Sequence, residues 1–170
     1  MRYGRIRCIG WIVMGFFLTG LAQAADVELS TRVSGVVEEV LVKPGQSVKK
    51  GAVLLRLNKV IFQAQVDEAD AEGERLRAEE AEAKRDLDRA QELYSRTVSS
   101  TSELDAAKLR STRAKSAVNI ATARLTIAKK NLMDAELRAP FNGVVAAIPG
   151  APGVVVAADC QPRVLVVMRR

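Results

Sequence analysis

The stretch RAPFNGVVAAIPGAPG, from Arg138 to Gly153, decides the fold, because the chain has said nearly the same thing before. TRVSGVVEEVLVKPGQ, from Thr31 to Gln46, carries the same Gly-Val-Val and the same Pro-Gly turn. In both, the turn glycine follows the first glycine by ten residues: Gly35 to Gly45, and Gly143 to Gly153. Around these marks, β-branched residues and leucines run in short stretches between Gly and Pro-Gly punctuation, which reads as short strands and tight turns. A valine follows each turn glycine at +3, Val48 and Val156. A second turn then precedes a closing apolar strand, Val53–Leu57 or Val164–Met168. Each half is only about 30 residues, too small to bury a core alone. Two related halves packed face to face about a pseudo-twofold axis make one small β-sandwich. Its expected core joins Val36, Val40, Val48 and Leu55 to Val144, Ile148, Val156 and Leu165.

Between the halves the composition changes. From Phe62 to Glu136 there is no proline and a single glycine, Gly73, while Ala, Glu, Arg, Lys and Leu dominate. These are good helix formers. Alternating steps of four and three link Phe62, Val66, Ala69, Gly73, Leu76, Glu80, Ala83, Leu87, Ala90 and Tyr94. After TVSSTS the pattern resumes at Leu104, Ala107, Ser111, Ala114, Val118, Ala121, Leu125, Ala128, Leu132 and Ala135. Sustained heptads argue for a coiled coil. Ser99 to Ser102 offer N-cap chemistry and Glu103 supports the following turn. Two equal helices with a short link predict an antiparallel hairpin. One continuous dimerising helix is the competing reading, and TVSSTS argues against it. Folding the chain about residue 99 sets Phe62 against Ala135, Val66 against Leu132, Gly73 against Leu125 and Leu76 against Ala121, so large meets small in most layers. Residues 62–95 carry eleven acids and five bases, and residues 103–136 four acids and seven bases. Net charges of −6 and +3 lead to the expectation that opposite strips pair across the hairpin.

The first 24 residues stand apart. Arg2, Arg5 and Arg7 precede an apolar run from Cys8 to Leu21, and Ala22-Gln23-Ala24 closes it. That layout predicts a cleaved secretory signal peptide and a periplasmic chain beginning at Ala25. The alternative is an uncleaved inner-membrane anchor, for which the run is short against the ~20 residues of a full span. The whole chain has 26 basic and 20 acidic residues, net +6, and loss of three arginines leaves +3. No nucleic-acid partner is expected from so dispersed an excess on an exported chain. Cys160 would be the one remaining thiol, so no internal disulfide is possible, and its apolar setting suggests a small core residue. The absence of histidine excludes Ser-His-Asp and Cys-His catalysis and histidine metal sites. No phosphate loop or nucleophile motif appears, and the many carboxylates read as solvated coiled-coil faces. The expectation is therefore no enzyme, no catalytic residue, no metal and no cofactor.

SGVVEEVLVKPGQSVKKGAVLLRL, the Ala-rich coiled coil, and LRAPFNGVV re-entering the second half occur in that order. The combination resembles the periplasmic adaptor (membrane fusion protein) family of tripartite efflux pumps and type I secretion systems. The resemblance implies an α+β fold, a split lipoyl-like β-sandwich with an inserted antiparallel helical hairpin. The implied layout is residues 1–24 signal peptide, 25–59 first half, 60–137 hairpin and 138–170 second half. It further implies a ring of adaptor copies, an inner-membrane transporter and an outer-membrane channel as partners, and a role in efflux, with type I protein secretion as the alternative. Family members add a β-barrel and a membrane-proximal domain. This chain begins the lipoyl-like unit soon after the leader and stops at VLVVMRR, which implies a truncated or minimal adaptor.

The resemblance extends to the hairpin tip. RAQELYSRTVSSTSELDAA, Arg89 to Ala107, is similar to the tip motif of adaptors that meet an outer-membrane channel. Arg89, Leu93 and Ser100 stand at its Arg, Leu and Ser places, with Asp105 and Ala106 after them. Arginine offers forked, charge-assisted bonds, and a leucine fits a small groove. The structural alternative makes Arg89 a surface ion pair, Leu93 a seam neighbour and Ser100 an N-cap. Two other functions remain as rivals. A lipoyl or biotin carrier would use Lys59, which lies where the helical insertion begins rather than at a tight turn. A purely structural coiled coil would leave the matched β halves unexplained.

Overall fold

A computed structural model of the chain describes residues 26–158 and 163–170. The leader read over residues 1–24 and the role of Cys160 lie outside the described residues.

The first half supplies β1 (Asp26–Leu29), β2 (Gly35–Val40), β3 (Ser47–Val48) and β4 (Val53–Leu57). Two helices follow, α1 (Val60–Ser95) and α2 (Thr101–Asp134). The second half supplies β5 (Glu136–Arg138), β6 (Gly143–Ala147), β7 (Val155–Val156) and β8 (Val166–Arg169). The closing strand of the second half thus starts at Val166, two residues later than its apolar run suggested. The fold is the expected α+β arrangement, a split sandwich carrying a helical hairpin.

The two halves do more than stack. One sheet has the order β1-β8-β6-β3 and the other β5-β4-β2-β7. Exchanging β1 with β5, β2 with β6, β3 with β7 and β4 with β8 turns one order into the other. Every sheet therefore takes strands from both halves, which corrects the picture of two self-contained faces. The repeat explains how. The Gly45 N–H donates to the Val145 carbonyl at 2.8 Å, and the Gly153 N–H donates to the Val37 carbonyl at 2.8 Å. The Val145 N–H donates to the Gln46 carbonyl and the Val37 N–H to the Val154 carbonyl, both at 2.9 Å. Each Pro-Gly turn is thus held by the Gly-Val-Val strand of the other half. Gly45 and Gly153 have φ of 83° and 86°, a left-handed conformation that glycine adopts without a Cβ clash. At Gly143 the constraint is space, since a Cβ there would lie 2.4 Å from the Arg169 carbonyl oxygen.

The core phase differs by one residue from expectation in the Gly-Val-Val segments. Val37 is 1% exposed and Val145 0%, whereas Val36 is 43% exposed and Val144 41%. Side chains alternate along a strand, so a shift of one residue exchanges the inner and outer faces. Hydrophobicity cannot choose between two adjacent valines; the partner strands do. Val48, Leu55, Val156 and Leu165 are buried as expected, joined by Leu54, Leu57, Val166 and Met168. Val40 and Ile148 pack against this core from partly buried positions. Full burial of each large aliphatic side chain contributes about 1.5–3 kcal/mol.

The heptad positions form the packed face of the hairpin. Val66, Leu125 and Ala128 make a buried cluster with Ala69 and Leu132 against it. Phe62 and Ala135 belong to the sandwich core instead, so the hairpin root is continuous with it. The expected pairing of opposite charge strips is made at longer range only. Among the described residues no direct ion pair bridges α1 and α2, while the Arg124 charge on α2 adds to Arg75 in holding the Glu72 carboxyl of α1 below its ordinary value. The helical pairs, such as Arg75 with Glu72 and Glu79, stay within one helix. On faces turned from the seam, a partner three or four residues away is nearer than the other helix.

Candidate functional site at the hairpin tip

At 1.5 Å per residue, the 36 residues of α1 carry the tip about 54 Å from the sandwich. Only Arg96 to Ser100 connect the helices, and both ends are capped. Beyond the C-cap Arg96, the Thr97 N–H donates to the Tyr94 carbonyl and the Val98 N–H to the Leu93 carbonyl, each at 3.0 Å. This pair of bonds is a Schellman motif, normally closed by glycine. Here Thr97 takes the left-handed position, with φ of 63°. A β-branched residue is strained there.

Ser100 is the N-cap of α2. Its Oγ accepts from the Glu103 N–H at 3.3 Å, and the Glu103 carboxylate accepts from the Ser100 N–H at 3.0 Å. This capping box satisfies two helix-end groups reciprocally. The Ser99 hydroxyl donates to the same carboxylate at 2.5 Å. Those bonds, the Ser99 hydroxyl's foremost, hold the Glu103 carboxyl below its ordinary value.

The sequence-nominated residues surround this apex. Arg89 is exposed, its guanidinium 3.3 Å from the Asp86 carboxylate. Leu93, four residues on and therefore on the same helix face, is 40% exposed. Ser100 lies in the link with its hydroxyl engaged as a cap. Asp105 accepts from the Lys108 ammonium at 3.2 Å. No hydrogen bond or ion pair among the described residues joins Arg89 to Ser100 or Asp105. Cap, ion pair and exposed apolar surface therefore coexist at the tip. Tyr94 is exposed rather than part of the seam, because the chain turns away just after it. Sequence reasoning passed over Val98, 72% exposed at the apex. Its signal was an isolated valine within a polar link, TVSS.

Lys59 occupies the opposite end of the hairpin. It precedes α1, and its ammonium lies 2.5 Å from the Glu136 carboxylate. Glu136 also pairs with Arg138, and Arg56 approaches it at 3.5 Å. The Lys59 and Arg138 contacts hold the Glu136 carboxyl below its ordinary range against the opposing cost of burial. This network ties the start of α1, the chain leaving α2 and strand β4 together. A lysine so engaged is a structural tie, not a free swinging arm. No described helix is long and apolar enough to cross a membrane.

Split sandwich and long hairpin define the architecture of a membrane fusion protein. The family model described as RND MFP, barrel-sandwich hybrid domain, matches residues 25–168, and the chain belongs to that family of periplasmic adaptors, which are not enzymes. Among curated relatives, Uncharacterized protein YdhJ of Escherichia coli (strain K12) is 30% identical over 142 residues, covering 80% of this chain and 50% of that protein. The Efflux pump periplasmic linker BepD of Brucella suis biovar 1 is 28% identical over 140 residues, covering 82% of this chain and 35% of that one. The chain thus spans half the length or less of these relatives. The membrane fusion protein Spr0693 from Streptococcus pneumoniae R6 shares the fold, with a TM-score of 0.65 at 19% identity over 85% of this chain and 59% of that one.

Proposed function

We propose that the protein is a periplasmic adaptor of tripartite efflux, exported by its first 24 residues, which links an inner-membrane transporter to an outer-membrane channel. The observation that carries this reading is the doubly capped tip. It presents Leu93, Val98 and Arg89 to solvent at the far end of the hairpin. An apolar knob beside a forked donor suits a groove between helices rimmed by carbonyls or carboxylates. Asp105 completes the polar rim on α2. The efflux relatives support the transport setting. Acids outnumber bases on α1 and bases outnumber acids on α2, an imbalance that the ion pairs within each helix leave standing, and it favours side-by-side assembly of copies, α1 of one against α2 of the next.

Crosslinking tests the docking. Arg89→Asp replaces an exposed residue, so the helical circular dichroism should be unchanged while crosslinking to the outer-membrane channel and drug efflux are lost. Retained crosslinking and transport in that variant would remove the tip from the mechanism.

A further inference from the structure

The hairpin root holds a second feature, a cleft of about 580 Å³ between the end of α2, β5 and the segment that follows β1. One wall is apolar, formed by Leu29, Leu132, Met133 and Leu137. Met133 is mostly exposed, a large thioether left in water at a helix end. The rim is ionic. Arg32, Lys59, Lys130 and Arg138 line it together with Asp134 and Glu136, four cations to two carboxylates. Lys59 and Arg138 are engaged by Glu136, and Lys130 by Asp134. Arg32 is exposed and has no ion pair or side-chain hydrogen bond among the described residues. An apolar wall of this size, with one uncommitted guanidinium at its edge and a net positive rim, has the make-up of a small-molecule site.

We propose that this cleft binds an amphiphilic organic anion, its acidic head on Arg32 beside Lys130 and its tail along Leu29, Leu132 and Met133. A planar guanidinium takes a carboxylate, sulfonate or phosphate in a forked pair. The rim charge disfavours a cationic head. A neutral head forgoes the charge-assisted bond. The volume lies within the roughly 300–1,000 Å³ of drug-sized ligand sites. The site is independent of the tip: it is some ten helical turns away and shares no residue with it.

The test uses the purified protein and a soluble probe, 11-(dansylamino)undecanoic acid, kept below its micelle concentration, with dansyl emission as the readout. Saturable binding of one probe per chain is expected. Dodecanoate should displace it and dodecyltrimethylammonium should not. Arg32→Glu should weaken binding about tenfold or more, the scale of one charge-assisted bond, and Arg32→Lys should restore most of it. Met133→Asp should weaken it independently. Both positions are exposed, so the helical circular dichroism should stay unchanged. Phosphatidylglycerol vesicles form the second arm. Arg32-dependent vesicle flotation without binding of the soluble probe would assign the charge to a membrane surface and overturn the cleft. No saturable probe binding, or binding indifferent to both Arg32→Glu and Met133→Asp, would overturn it equally.

Discussion

The paired valines of the repeat offer the sharpest test of the fold. Val37 and Val145 face inward, while Val36 and Val144, one residue earlier, are two-fifths exposed. Replacing an inward valine by alanine removes two buried carbon groups. At about 0.8 kcal/mol each, the transfer loss is about 1.6 kcal/mol. Incomplete collapse of the space left behind brings the cost to about 2–3 kcal/mol. The outward valines lie partly in water, and their truncation should cost no more than about 0.5–1 kcal/mol. For a chain of this length a kcal/mol shifts the midpoint by about 2–4 °C. Val37→Ala and Val145→Ala should therefore each lower Tm by about 5–10 °C, and Val36→Ala and Val144→Ala by no more than about 4 °C. The assay is thermal unfolding followed at a strand-sensitive wavelength, so that helix melting does not mask the sandwich. Because the two halves are related by exchange, the effects at 37 and 145 should resemble each other. Equal or larger losses at 36 and 144 would refute the register and the reciprocal turn-to-strand bonding built on it.

The tip should respond in opposite directions to two small changes. Ser100→Ala removes the N-cap and should cost about 1 kcal/mol in chemical unfolding. Thr97→Gly relieves the left-handed strain of about 1–2 kcal/mol, partly offset by the looser unfolded chain, and should give a net gain of up to about 1 kcal/mol. At the root, the folded Glu136 carboxyl is held below its ordinary value of 4.5 by Lys59 and then Arg138. Between the folded and ordinary values the unfolded chain binds the extra proton, so this contribution is complete above 4.5 and is lost as pH falls through the lower value. The denaturant midpoint should hold from about pH 7 to about pH 5 and drop below that. The drop should be shallower in Glu136→Gln, and an equal drop in that variant would show that Glu136 is not among its causes.

The sequence by itself determined the helices, their seam and the existence of two matched β halves. Heptad spacing survives as the packed face from Val66 to Ala90 on α1 and from Leu104 to Leu132 on α2, because a 3.5-residue repeat leaves one stripe to bury. Its ends at Phe62 and Ala135 join the sandwich core, and Tyr94 is exposed. The capping residues around Ser100 were equally legible, since a cap is a local bond between neighbours in sequence. The turn glycines were legible for the same reason, as their conformation is set by sterics within the turn. What the tertiary structure decided is everything that depends on a partner far along the chain. Adjacent valines are equally apolar, so only pairing with β7 and the Gly153 turn turns Val37 inward and Val36 outward. The exchange of strands between halves leaves no mark in either half, because the same residues would pair within a self-contained unit if one were large enough to hold a core. Charge told which helix was acidic and which basic, yet the ion pairs formed locally, since a neighbour one turn away is closer than any residue across the seam. The exposure of Val98 at the apex, marked in sequence only by one valine in a polar link, and the cleft at the root follow no periodic pattern. They exist because the chain reverses within five residues at one end and rejoins the sandwich at the other.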